Sequence, residues 1–138
     1  MFFIADMVKQ GLIYKIGEEI DWEKVEGRET KREDNILYVQ VKILSGSEIG
    51  NFCQFINCKL EDKISIGNWN KFGYENEFGY ENEFGYKNKF GNWNEFGNEN
   101  KFGYGNKFDR EVIFGEKCTQ LIFDKEKGIY VPERLVSK

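Results

Sequence analysis

The sequence has no histidine, a single proline (Pro132) and only three cysteines. Without histidine, the commonest general base at neutral pH is missing, and with it the usual serine and cysteine triads. The expectation is a protein that is not an enzyme, with no catalytic residue to nominate. Cys53, Cys58 and Cys118 are odd in number and offer one loose Cys-x4-Cys pair, so neither a disulfide framework nor a zinc site is expected, and no cofactor is implied. Long apolar runs are also lacking. A membrane span needs roughly 20 apolar residues, and the opening Met1-Phe2-Phe3-Ile4-Ala5 meets Asp6 and Lys9 too soon for a signal-peptide core. The expected location is the cytoplasm. Basic charge is not in excess either: 20 Lys and Arg stand against 24 Asp and Glu. A net charge of -4 argues against a protein whose task is to neutralise phosphates, so direct nucleic-acid binding is not expected.

What the chain does have is a repeat. From Ile66 the units read IGNWNK, FGYENE, FGYENE, FGYKNK, FGNWNE, FGNENK and FGYGNK, with a period of six. Internal repetition outranks other signals in reading a fold. Phe72, Phe78, Phe84, Phe90, Phe96, Phe102, Phe108 and Phe114 share one phase, and Asn70, Asn76, Asn82, Asn88, Asn94, Asn100 and Asn106 share another. A short strand, Asn-(Lys or Glu)-Phe-Gly, turns Asn and Phe inward and the charged residue outward. The next two residues, such as Tyr74-Glu75 or Asn92-Trp93, make a corner. A helix fits poorly, because six matches no helical face and glycine recurs in nearly every unit. Disorder fits poorly too, because the in-phase phenylalanines supply apolar area that disordered chains lack.

Ile49-Gly50 with Cys53, Ile66-Gly67 with Asn70 and Phe114-Gly115 with Cys118 follow a pattern of bulky apolar residue, glycine and small fifth residue. In this the chain resembles the hexapeptide-repeat proteins that form left-handed parallel β-helices, over residues 49–119. Phenylalanine replaces the family's aliphatic residue in most units, and asparagine its small apolar one. The resemblance implies three units per triangular coil, which stacks residues 18 apart. A flatter coil of two units would stack residues 12 apart, and charge register favours it: Lys71 then meets Glu83, Glu77 meets Lys89 and Glu95 meets Lys107. Phenylalanine favours the triangle, since two closely apposed sheets leave little room for facing rings. Inward asparagines are expected to satisfy one another through amide ladders. The alternative sets them at corners in left-handed conformation.

The expected fold is therefore all-β: a parallel β-solenoid, triangular and left-handed, with small caps. Residues 1–48 read as an N-terminal α+β or β cap, 49–119 as the hexapeptide-repeat β-helix and 120–138 as a C-terminal hairpin cap. Ile49 and Phe55 are in phase, then one residue is lost before Leu60 and Ile66. Strand-like stretches cover residues 11–16 and 36–44, and Asp21 is placed to cap a short helix from Trp22. Leu121-Ile122-Phe123 and Ile129-Tyr130-Val131 flank a turn and read as a hairpin.

The resemblance first implies an acyltransferase, but those enzymes generally use a catalytic histidine and often a protruding loop, and this repeat has neither. Ice binding needs ranks of small hydroxyl side chains, whereas Ser45, Ser47, Ser65, Thr119 and Ser137 are the only ones from residue 45 onward. What remains is a surface. Trp69, Tyr74, Tyr80, Tyr86, Trp93 and Tyr104 fall at corners, and such residues dominate protein interface hot spots. The bland alternative is packing against a neighbouring rung. Glu75, Glu77, Glu81 and Glu83 lie in consecutive units, either as a solvated face or as a rigid imitation of nucleic-acid charge presented to a basic groove. The leading expectation is a protein-binding protein with a nucleic-acid-binding effector as partner, such as a phage-type, anti-CRISPR-like inhibitor of a bacterial defence nuclease acting in the host cytoplasm. The runner-up is a structural β-helix that self-associates as a homo-oligomer, a trimer or a fibre.

Overall fold

The computed structural model describes residues 13–16, 19–20 and 34–137. They form three parallel sheets of six strands each, which are the three sides of a solenoid. Side A stacks Ile13–Ile16, Ile36–Val39, Gln54–Ile56, Lys71–Phe72, Lys89–Phe90 and Lys107–Phe108. Side B stacks Glu19–Ile20, Lys42–Ile43, Lys59–Leu60, Glu77–Phe78, Glu95–Phe96 and Ile113–Phe114. Side C stacks Glu48–Ile49, Ser65–Ile66, Glu83–Phe84, Lys101–Phe102 and the hairpin of Thr119–Asp124 with Ile129–Arg134, the one antiparallel pair. No helix occurs among the described residues.

Phe72 pairs with Phe90 and Phe90 with Phe108, so three units make a coil. This corrects the coil size that charge register favoured. Lys71, Lys89 and Lys107 lie above one another, as do Glu77 and Glu95. Like charges on adjacent exposed rungs cost only tenths of a kcal/mol, and the core outweighs them. Within a coil, Phe72, Phe78 and Phe84 meet edge to face with centroids 5.2, 5.4 and 5.9 Å apart. Between coils the rings stack face to face, Phe72 on Phe90 at 4.7 Å, Phe78 on Phe96 at 4.4 Å and Phe84 on Phe102 at 4.5 Å. Each such contact contributes about 0.5–1.5 kcal/mol beyond area burial. Two apposed sheets have no room for this three-ring wheel.

The asparagines point inward and are buried, but their column is not chiefly an amide-to-amide ladder. Asn88 Oδ1 accepts the N–H of Asn70 at 2.8 Å and its Nδ2 donates to Gly67 O at 3.1 Å. Asn94 Nδ2 donates to Gly73 O and Gly91 O at 2.9 and 2.7 Å. The side chains thus serve backbone groups that the bend withdraws from the sheet ladder. A direct amide contact joins Asn76 Nδ2 to Asn94 Oδ1 at 2.9 Å.

The left-handed corner residue is the one before each asparagine: Trp69, Glu75, Glu81, Lys87, Trp93 and Glu99 have φ of 61, 60, 56, 59, 68 and 60°. For a non-glycine residue this conformation costs roughly 1–2 kcal/mol. Bonds to the next coil offset it: the N–H groups of Trp69, Glu81, Lys87 and Glu99 donate to carbonyls of Tyr86, Asn98, Tyr104 and Glu116 at 3.2, 3.0, 3.1 and 2.8 Å. Glycine after phenylalanine has a different cause. A Cβ on Gly97 would lie 2.7 Å from Gly79 O, too close for any side chain.

The sheets do not stop at the boundary expected at residue 48. The stretch 36–44 is not one strand, because Gln40 (φ 53°) turns a corner between Ile36–Val39 and Lys42–Ile43. Ile43 and Ile49 sit beneath Leu60 and Ile66 in the same core. The residue lost after Phe55 falls at the corner between sides A and B, where Asn57-Cys58 does the work of Tyr74-Glu75-Asn76 one coil on. The expected hairpin is present, pairing Leu121 with Pro132 and Phe123 with Tyr130. The helix expected from Trp22 lies outside the described residues.

Two measurements check this packing. Phe90→Ala is expected to lower stability by about 3–5 kcal/mol, and Asn88→Ala by about 1–3 kcal/mol through unpaired backbone groups, each read from urea unfolding. Burial pushes the Cys58 thiol up from an ordinary 9.0 to about 11. A raised thiol pKa stabilises the fold below the unfolded value, and that contribution fades as pH rises from about 9 to about 11. Cys58→Ala should therefore flatten the fall in stability over that window, and in the native wild type Cys58 should resist alkylation near neutral pH.

Candidate partner-binding surface

Because the coil has three sides, the residues singled out in the sequence divide into three groups. Glu75, at the A–B corner, and Glu77, on side B, come together with Trp93 from the coil above. With Asn57 and Glu95 they line one concavity. Tyr74 belongs to the same corner and is half exposed. Trp93 is 57% exposed, among the most exposed of the large apolar side chains. Tyr80 and Glu81 sit at the B–C corner and Glu83 on side C, where Glu81 and Glu83 border a second concavity with Lys63, Ser65, Glu99 and Lys101. The four glutamates therefore wind around the coil and do not form a single strip.

Trp69, Tyr86 and Tyr104 share the third corner, between sides C and A. There rings pack against neighbouring rungs while Trp69 stays 47% exposed. Tyr104 is stacked between Tyr86 at 5.0 Å and Tyr130 at 4.9 Å, Phe52 stacks on Trp69 at 6.4 Å, and Lys87 Nζ lies 5.8 Å from the Trp69 ring centre. Rings stacked in this way present edges to solvent and stiffen the corner.

Several surface residues entered the sequence reading only as a test of coil size, or not at all, and were not singled out as candidate sites. Glu95 stands one rung above Glu77, and Lys42 and Lys59 stand below it. Side A carries Lys71, Lys89 and Lys107 in register. A triangular coil implies these neighbours at a step of 18, and what the sequence reading did not do is sort the candidate site residues by that step. A second set of asparagines, at the third place of the unit, was also missed. Asn68 Oδ1 accepts the Tyr86 N–H at 2.8 Å, Asn98 Oδ1 the Glu116 N–H at 2.8 Å and Asn92 Oδ1 the Glu111 N–H at 3.1 Å. These side chains tie one corner to the next.

Among the described residues, no group of three or more Cys, Asp or Glu is placed to hold a metal ion. No helix among them is long and apolar enough to cross a membrane. Burial raises the pKa of both Cys58 and Cys118, which keeps them as protonated thiols at neutral pH. What the surface offers is fixed charge and exposed aromatic area on a rigid frame.

The two kinds of aromatic corner should respond differently to truncation. Tyr104→Ala is expected to lower the thermal midpoint, because it removes the ring between Tyr86 and Tyr130. Trp93→Ala should leave the midpoint unchanged, as a differential scan would show. Comparison of the chain with protein-family models, with curated proteins and with solved structures gave no match.

Proposed function

We propose that this is a non-catalytic protein-binding rod that docks its acidic, aromatic A–B corner and the adjoining part of side B into the basic groove of a nucleic-acid-binding effector. An inhibitor of a bacterial defence nuclease, of the kind phages direct against CRISPR effectors, would act in this way. The observation that carries the reading is the clustering of Glu75, Glu77 and Glu95 around Trp93 in one concavity. An exposed tryptophan ringed by carboxylates suits a partner with an apolar slot and basic walls. Adjacent rungs are about 4.8 Å apart, the same order as the roughly 3.4 Å per phosphate along a duplex strand. The rod thus holds charge at a pitch that a phosphate-binding groove can accept.

A further consideration favours function over stability at these positions. Glu77 lies directly below Glu95, a placement that slightly disfavours the fold. Lys59 offsets part of this, with its Nζ 4.0 Å from Glu77 Oε2.

The test is a tagged pull-down against a panel of purified CRISPR effector complexes at low and high salt, followed by target-DNA binding in a mobility-shift assay. The wild-type protein is expected to block DNA binding, and less effectively as salt rises. Glu77→Lys with Glu95→Lys should weaken the block by roughly tenfold or more, and Trp93→Ala should do so without altering the salt dependence. Inhibition that survives the charge reversal would sink the acidic reading.

A further inference from the structure

Read upward along side B, the outward residues of four consecutive coils are Lys42, Lys59, Glu77 and Glu95. The order is two cations followed by two anions, evenly spaced, on one flat side. Such a ladder is complementary to its own reverse. We infer that side B is a self-complementary interface on which two copies of this chain pair antiparallel, about a two-fold axis running along the strand direction between the Lys59 and Glu77 rungs.

The geometry follows from the symmetry. A two-fold axis lying in the contact plane and along the strands reverses the order of coils and keeps each corner beside its own equivalent. Lys59 then faces Glu77 of the second copy, and Lys42 faces Glu95 of the second copy. Isologous symmetry supplies each pair twice. The flank agrees, because Lys63 occupies the left-handed position of the B–C corner in the Lys59 coil and Glu81 occupies it in the Glu77 coil. The same axis brings Lys63 opposite Glu81 of the second copy.

Other arrangements fail on charge. A two-fold axis parallel to the rod sets Lys42 on Lys42 and Glu77 on Glu77. Slipping the antiparallel pair by one coil sets Glu77 on Glu77 or Lys59 on Lys59 and halves the number of complementary pairs. Side A, with Lys71, Lys89 and Lys107 in register, has no acidic rung to set against them in either direction. Side C carries Glu48, Ser65, Glu83, Lys101, Thr119 and Arg134, whose reverse pairs Glu83 with Lys101 and Glu48 with Arg134 but sets Glu81 on Glu99 and Lys63 on Lys117 along the B–C corner. Side B alone combines complementary rungs with a complementary flank.

Lys59, Glu77 and Glu95 reach solvent. Lys59 and Glu77 are 66% and 62% exposed and their mutual contact is long, at 4.0 Å. Lys42, 43% exposed, also holds Glu61 of its own chain at 3.8 Å. A side of about six residues by a few rungs is smaller than the roughly 800 Å² per partner of a stable interface. The pairing is accordingly concentration-dependent and salt-sensitive. It does not rest on the partner-binding reading, although it covers Glu77 and Glu95 and so competes with any partner that uses them.

Sedimentation velocity of the full chain at low salt, over roughly a hundredfold range of concentration, is the primary test, with a reversible dimer expected that dissociates as salt is raised. Glu77→Lys with Glu95→Lys, and separately Lys42→Glu with Lys59→Glu, should each be monomeric, with circular dichroism confirming the fold. Mixed together they should form a heterodimer. Glutamine at the same four positions keeps bulk while removing charge, and should weaken dimerisation without rescue on mixing. Lys71→Glu with Lys89→Glu, on side A, should leave the dimer intact. A wild-type chain that stays monomeric throughout, folded complementary variants that fail to pair, or a dimer lost on changing side A would each overturn the proposal. The Lys42→Glu, Lys59→Glu variant keeps Glu75, Glu77, Trp93 and Glu95, so a failure of self-pairing and a failure of effector binding remain distinguishable.

Discussion

Each coil is built to accept a copy of itself at a rise of about 4.8 Å, and the rest of the molecule is arranged to keep that stacking unbroken through three corners. The strands themselves are mostly two residues long and cannot hold a sheet alone. Continuity comes from between the strands. Buried asparagines take up the N–H groups that the bends expose, outer asparagines tie corner to corner, and left-handed residues aim their N–H groups at the coil above. Phenylalanine fills what remains. Three rings meet edge to face in a coil and stack on three below, so one side chain satisfies both in-plane and vertical packing.

Much of this was legible because a six-residue period forces a decision at every position. Phenylalanine and asparagine recur without slipping phase, and a period-two strand can bury both only with the charged residue outside. Elsewhere the sequence misled for identifiable reasons. Charge pairing at a step of 12 looked favourable, yet exposed pairs carry tenths of a kcal/mol against several for a buried ring. Residues 36–44 read as one strand because Gln40 carries no turn signal, and its left-handed backbone is held by a bond from its N–H to Ile56 O at 3.0 Å in the next coil. Glu75 and Trp93 likewise adopt a conformation that their own chemistry does not announce.

The surface was the least legible part, and the reason is geometric. The fold has a period of six, but a side of the solenoid has a period of 18, so neighbours in sequence become residents of different sides. Glu75, Glu77, Glu81 and Glu83 looked like a single acidic run and are spread over two corners and two sides. Trp69 and Tyr104 looked equivalent to Trp93, and they belong to a corner where rings are spent on one another. A net charge of -4 conceals a side of lysines, a side divided between lysine and glutamate, and a mixed third side. Chemistry on such a rod belongs to sides and corners, and is visible only after the chain has been wound.

That separation of periods makes the repeat an unequal target for insertion and deletion. Loss of one six-residue unit leaves every phenylalanine and asparagine facing inward, because the units are interchangeable to the core. It also turns everything after the cut by a third of a revolution: without residues 73–78, Glu83 would move onto side B above Lys59, and Lys89 would move onto side C. Loss of 18 residues shortens the rod by one storey and keeps each side in line. Removal or addition of single units therefore reshuffles the outer pattern in steps of a third of a turn while leaving the interior untouched.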